Sequence, residues 1–377
     1  MNEQLPSQTE CVVVGAGLAG AASAYGLSRA GLTDLVVLER EAVAGVHASG
    51  RNAAMAYSFV AEPTSRWLAR RGREFLAAPP ADFPLPLYNH WHGSLSVVGE
   101  AHLPAYEARV ATLRAEGIPL QTWSDAEMAE RIPVLGRRPG DVGYFCPEDG
   151  VIDVDALLQG YLRAVRRAGG VLGFRRAAEA LVLEQGRVVG VKTAEGLIRA
   201  PRVVLAGGPW ANDLAVAAGL TPLPLRPARR HLAVVIDTEV PPDPRWPFVW
   251  HQTDPFYFRP ESGGLLACAC EVEYMPAADV GPDREAVERL AEKTLTMLAG
   301  ATGARIRRAW AGLRTLTPDE HFVLGPDPRI SGLFWAAGLG GHGMTTSPAV
   351  AEIMADLVLR GDTERLDATP LLAARFL

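Results

Sequence analysis

The 377-residue sequence contains no apolar run reaching the ~18 residues needed to span a bilayer. It has no internal repeat and no low-complexity tract, which excludes solenoid and linker architectures. Cysteine is scarce. Cys11, Cys146, Cys268 and Cys270 lack zinc-ligand spacing, and Cys268-Ala269-Cys270 alternates like one face of a strand, so all four read as reduced and buried and no metal site is expected. No block of basic residues offsets the net charge of −6. With a pI near 5.8 the chain has no electrostatic footprint for nucleic acid. The polar start MNEQLPSQTE leaves no room for a signal peptide before the first strand, so a cytoplasmic location is expected. The length suits two domains or one large composite, with ample core.

What is present begins with a complete βαβ unit. Residues 11–15 (CVVVG) read as a buried strand running into Gly15-Ala16-Gly17-Leu18-Ala19-Gly20, a G-x-G-x-x-G. A helical pattern over 21–30 stops at Gly31, and a second strand over 34–38 closes on Glu39. Gly15 permits the sharp turn out of the strand, Gly17 clears space for a pyrophosphate against the backbone, and Gly20 lets helix approach strand. The helix start aims unpaired N–H groups at the phosphates, and Glu39 is placed to accept the ribose hydroxyls. The small, polar loop over 40–55 can return N–H groups and the Ser49 hydroxyl to the same ligand, with Ser49 expected to open a helical stretch.

Further along, helices are expected over 64–77, near 103–116, over 125–130, from an Asp155 cap to 168, over 283–298 and over 348–359. Strands are expected within 85–98, then over 171–174, 180–184, 188–193, 202–206, 231–237, 256–259, 264–270 and 333–337. A helix containing Trp210 and Asn212 should follow the strand that ends at Gly207 and Gly208. The segment 338–347 (GLGGHGMTTS) forms a second glycine-rich strand-to-helix turn. A βαβ unit alone serves NAD as well as FAD. The late turn and the loop at 48–55 are the features an NAD enzyme would not need.

These runs together resemble the FAD-dependent amino-acid and amine oxidoreductases, the family of D-amino-acid oxidase, glycine oxidase, sarcosine oxidase and bacterial D-amino-acid dehydrogenases. The resemblance rests on the first glycine run with Glu39-Arg40, HASGRNAA from His47, LAGGPW from Leu205, GLRTLTPDEHF from Gly312 and GLGGHGM from Gly338. VLEREAVAGVHASGRNAA, Tyr161-Leu162-Arg163 and Arg229-Arg230 are most similar to the D-arginine-type dehydrogenases.

The resemblance implies an α/β fold: a glutathione-reductase-type, Rossmann-like FAD-binding domain with a second α+β substrate domain built on an antiparallel sheet. The FAD-binding domain takes 1–82, 147–222 and 310–377; the substrate domain takes 83–146 and 223–309. It further implies FAD with its adenosine end on Gly15, Gly17, Leu18, Ala19, Gly20, Glu39 and Arg40, and its middle on Ala48, Ser49, Gly50, Arg51, Asn52, Ala53, Ala54 and Met55. The adenine is expected near Ala180, with Gly207 and Trp210 adding contacts. The isoalloxazine is expected at Leu339, Gly340, Gly341, His342, Gly343, Met344 and Thr345, with Gly340 at the reaction centre and His342 contributing backbone. Arg314 is implied as the anchor of the substrate carboxylate, assisted by Tyr257 and Arg230; a guanidinium fork suits a carboxylate. Read from the residues alone, Arg314 also suits an ion pair with Asp319 or Glu320, Tyr257 a core position, and Arg230 a solvated surface charge.

The implied reaction is hydride transfer from an amino acid to flavin N5, giving an imino acid that hydrolyses to a 2-oxo acid and ammonia. The electron acceptor is either O2 or a quinone- or dye-like molecule. A glycine- or sarcosine-type oxidase and a flavoprotein subunit of a larger electron-transfer complex are the alternatives. Gly312 occupies the place of the cysteine that tethers FAD in monomeric sarcosine oxidases, and Met344 that of their lysine, so non-covalent FAD is expected and N-methyl substrates are less favoured. Met55 replaces a histidine of the D-arginine branch, and Ser94, Leu95 and Ser96 offer no acid for a cationic side chain. These departures favour a D-amino acid with a neutral or apolar side chain.

Overall fold

The computed structural model describes residues 4–377 apart from 82, 84, 85 and 137. Six strands form one sheet in the order Val323–Pro326, Leu333–Ala337, Val203–Leu205, Cys11–Val14, Leu35–Glu39 and Val171–Phe174, parallel except at its Val323–Pro326 edge. The inner strands are unbroken apolar runs because both faces of this sheet are covered. One face packs on the helices Leu18–Arg29, Val154–Arg167 and Gly343–Arg360. The other packs on the antiparallel sheet Ala180–Glu184, Arg187–Thr193 and Gly196–Arg199. Gly72 of the helix Pro63–Ala77 lets that helix press on the last one, since a Cβ there would stand 1.8 Å from the Thr345 carbonyl oxygen.

A second sheet joins nine strands and is antiparallel apart from the Phe248–His251 and Ser94–Val98 pair. Its two longest strands, Arg226–Ile236 and Arg305–Leu316, pair along their whole length, and the helix Arg284–Met297 closes one face over Leu290 and Met297. The strand Arg305–Leu316 straddles the border expected at 309/310. Of the strands expected within 85–98, Tyr88–His90 joins a small sheet with Met55–Ala56 and Gly150–Ile152, and Ser94–Val98 joins the large one. Leu85 lies outside the described residues.

Several local expectations are corrected. No helix opens at Ser49; its hydroxyl instead accepts the Leu18 N–H at 2.9 Å. The helix Val154–Arg167 is capped by Asp153, which accepts the Ala156 N–H at 2.8 Å, while Asp155 lies within the first turn. Trp210 ends a short 3-10 turn, and Asn212 spends its side chain on both backbone groups of Leu223 (2.8 and 3.0 Å) ahead of the helix Asp213–Ala217. The last helix begins at Gly343, with Pro348 inside it. Pro348 brings no N–H for the Met344 carbonyl, and the Ser347 hydroxyl donates to that oxygen at 3.2 Å instead.

Candidate functional site

The first glycine run turns out of the central strand with Gly15 at φ +104°. A Cβ at Gly20 would stand 1.9 Å from the Gly15 carbonyl oxygen, so no side chain fits where helix meets turn. Gly17 ends the turn and, having no side chain, caps nothing itself; the Ser49 hydroxyl takes the Leu18 N–H. Glu39 accepts the Ala16 N–H (2.8 Å) on one oxygen and the Glu41 N–H (2.9 Å) on the other, which fixes its carboxylate at the strand end. Beside it the Arg40 guanidinium lies 3.8 Å over the Trp210 ring and meets His47 (3.2 Å) and Glu41 (3.1 Å).

The second glycine run leaves the Leu333–Ala337 strand and starts the last helix, whose N-cap residue His342 likewise gives no side-chain cap. Gly340 has φ +54°, and a Cβ at Gly341 would stand 2.7 Å from a terminal nitrogen of Arg314. Arg314 comes from Arg305–Leu316, opposite Ala228, while Arg230 on the paired strand stands opposite Gly312. The two arginines therefore occupy diagonal positions on one ladder. Among the described residues the Arg314 side chain makes no ion pair or hydrogen bond, and its Nε is shut off from water with no acceptor. Burial pulls its pKa down, and the Arg230 charge pulls in the same direction. Asp319 is engaged by Arg375 at 2.7 Å, which removes the ion-pair reading of Arg314 through that residue.

Arg230 is 7% exposed and donates to the Cys270 (2.8 Å) and Glu271 (3.1 Å) carbonyls, so it is no solvated surface charge. Tyr257 is 5% exposed, and burial raises its phenol well above the usual tyrosine range. It is both a core residue and a wall of the cleft. The Trp250 ring lies 5.3 Å from Tyr257 and stacks 5.0 Å from Tyr57, whose hydroxyl meets Ser96 (2.8 Å) and Gln252 (2.7 Å). His342 faces the same space. Burial, then the Arg314 charge, pushes its imidazole down to about 4, so it is neutral at pH 7.

Both glycine turns open on one continuous cleft of about 2040 Å³, its solvent-filled mouths included. All the expected site residues line it except Gly20, Gly50 and Ala180. Gly20 lies behind the turn. Gly50 faces the neighbouring cavity under Trp310. Arg176, Ala177 and Ala178 take the wall expected of Ala180, because Arg175 at φ +57° bends the chain there and the Arg175 and Arg176 N–H groups bond the Glu41 and Glu39 carbonyls. Sequence reasoning missed Trp250, Leu232 and Asp213, which also line the cleft, and left Tyr57 out of the site. The alternation of apolar residues around Trp250 was the available signal, but only strand pairing tells which face meets the cleft.

The chain matches the FAD dependent oxidoreductase family over residues 10–357, and it belongs to that family. It is 29% identical to a 4-methylaminobutanoate oxidase (formaldehyde-forming) of Paenarthrobacter nicotinovorans over 100% of its own length and 46% of that protein. The chain thus spans about half of that relative. It is 28% identical to a glycine oxidase of Pseudomonas putida, with 96% of this chain and 97% of the relative covered. Among solved structures, L-proline dehydrogenase from P. horikoshii superposes with a TM-score of 0.87 at 22% identity, covering 99% of this chain and 98% of that one.

The residues present fit FAD on two observations. Two helix starts whose N-cap residues, Gly17 and His342, give no side-chain cap, each with glycines that hold the backbone bare, face one extended cleft, the Ser49 hydroxyl taking only the Leu18 N–H of the first. The acids that line this cleft, Glu39, Glu41 and Asp213, stand with Arg40 and Trp210 at the end away from Arg314.

Proposed function

We propose that this protein oxidises a small amino acid carrying a free carboxylate and a neutral or apolar side chain to its imino acid, which water hydrolyses to a 2-oxo acid and ammonia. The observation that carries this reading is Arg314, whose Nε is buried without an acceptor beside a second guanidinium. Two neighbouring cations with no acid between them are stabilised by an incoming carboxylate. When bound, FAD supplies the two-electron acceptor chemistry.

The chain's own groups bind and orient. Arg314 and Arg230 grip the carboxylate, and Tyr257 adds its phenol. Neutral His342 places no charge against the substrate amine, which enters deprotonated and gives its proton to solvent. Met55, Leu232 and Trp250 present apolar surface to the side chain and keep water out. Among the described residues no acid lines this end of the cleft, which disfavours a cationic side chain. Gly312 provides no sulfur for a tether, and FAD is held without a covalent bond. In this reading the FAD-binding domain is organised on the six-stranded sheet and the substrate domain on the nine-stranded one, whose strand Arg305–Leu316 carries Arg314 across the border at 309/310.

A second reading, an N-methylated amino acid, is favoured by the likeness to 4-methylaminobutanoate oxidase over the full length of this chain. An anaerobic panel of D- and L-amino acids, glycine, sarcosine and 4-methylaminobutanoate, followed by bleaching of the yellow flavin, separates the two. Neutral primary amino acids should bleach it fastest. A flavin untouched by every member of the panel would overturn the enzyme reading in favour of an electron-transfer subunit.

A further inference from the structure

Behind the carboxylate clamp stand two thiols that the proposed reaction does not use. Cys268, 0% exposed, ends the strand Gly264–Cys268, and Cys270 follows two residues later, partly exposed. Cys270 sits at φ +59°, a left-handed conformation that folds the chain back on itself. Its N–H comes within 3.4 Å of the Cys268 sulfur, and its own sulfur lies 4.0 Å from the Cys268 carbonyl oxygen. The guanidinium of Arg230 is fastened to this same segment, through the Cys270 and Glu271 carbonyls.

We infer that Cys268 and Cys270 are an oxidisable dithiol, and that closing it to a disulfide withdraws Arg230 from the substrate carboxylate. The inference rests on the reading of Arg230 as half of the clamp. A disulfide demands a narrow range of Cα separation and sulfur dihedral. Bridging residues only two apart therefore turns the peptide groups between and after them, and the Cys270 carbonyl is the acceptor that holds Arg230. Nearby charge favours the chemistry. Burial raises the Cys268 thiol, but the Cys270 S–H and then the Arg230 charge outweigh it and ease the first ionisation of the pair.

The oxidant is a hydroperoxide. The Cys268 thiolate, whose ionisation its neighbours ease, attacks the O–O bond; an S–O bond forms, and the other oxygen leaves as water or an alcohol with the proton the thiol gave up. The Cys270 sulfur then attacks the resulting sulfenic acid, the S–S bond forms, and the hydroxyl departs as water with the Cys270 thiol proton. Two thiols lose two electrons to one hydroperoxide.

The test uses the flavin-loaded protein, reduced and then titrated with hydrogen peroxide. Peptide mass spectrometry reads the 268–270 segment, and a spectral titration with benzoate reads carboxylate affinity without turnover. The expected result is loss of two hydrogens from that segment, with benzoate Kd rising roughly tenfold and returning on addition of dithiothreitol. Cys270→Ser, which keeps the backbone and loses the sulfur, should show neither change. A segment that stays dithiol, a disulfide that leaves Kd unaltered, or a Cys270→Ser protein that responds like the parent each overturns the inference. If the serine variant does not fold, the reversal by dithiothreitol in the parent protein decides it. Failure of the reduced protein to bind any carboxylate is a different result: it refutes the clamp itself, and with it the consequence drawn for Arg230.

Discussion

The two ends of the cleft are built on opposite plans. At the Gly15–Gly20 end the side chains complete one another: Glu39 is filled by two backbone N–H groups, and Arg40, Trp210, His47 and Glu41 form a closed set. At the Arg314 end the groups are left wanting, with a guanidinium nitrogen unpaired, two cations adjacent and an imidazole held neutral. One end is a finished receptacle for a resident ligand. The other is unfinished until a transient anion arrives, as expected of a site that must bind and release.

Substitutions should separate the ends cleanly. The largest effect is expected from Gly20→Val, whose side chain would collide with the Gly15 carbonyl oxygen, 1.9 Å from the nearest Cβ position. The purified protein should emerge colourless, at a cost to folding of about 3 kcal/mol or more. A yellow Gly20→Val protein would show that the turn does not carry the cofactor. Next comes Arg314→Ala, which should keep full flavin absorbance while kcat/KM falls about 100-fold, mostly through KM. Steady-state kinetics with an unchanged KM would remove Arg314 from the substrate.

The third prediction concerns pH. The His251 and His342 imidazoles titrate near 4 in the folded chain, against 6.5 in an unfolded one. Between these values the unfolded chain binds more protons, so stability is fully present above 6.5 and declines as pH falls toward 4. Thermal unfolding should shift downward between pH 7 and 4.5, and His251→Gln should flatten the slope. The smallest effect belongs to Tyr57→Phe. Losing the hydroxyl shared by Ser96 and Gln252 should lower Tm by about 2 °C, the shift that roughly 1 kcal/mol produces in a chain of this size. Flavin content should not change.

The same contrast explains what could be read from the sequence. The cofactor end is largely contained in forty consecutive residues, where strand, turn, helix and terminal acid follow one another, so local pattern was enough. Arg314, Arg230 and Tyr257 came from family likeness alone, because they lie on three strands that only the large sheet brings together. Trp250 escaped because its place is set by pairing with Tyr257 on one side and Ser96 on the other, a long-range register with no local signature. Ala180 failed for a related reason. The residues that reach the cleft are fixed by backbone bonds from the Arg175–Arg176 bend to the Glu39 strand end, two segments far apart in sequence. Pro348 misled in the other direction, since proline normally marks a helix boundary and Ser347 supplies the compensation only in three dimensions.

Arg314 and Arg230 ride on adjacent strands hydrogen-bonded over their whole length. Their spacing is thus inherited from a β-ladder, where a slip of one residue in either strand would turn that strand's arginine to the opposite face. A single insertion or deletion in either strand would therefore break the clamp at one stroke. Met55, Leu232 and Trp250 also sit on paired strands, but they offer the cleft apolar surface rather than a charge, so exchanging their side chains leaves the clamp in place and is the route toward new substrates.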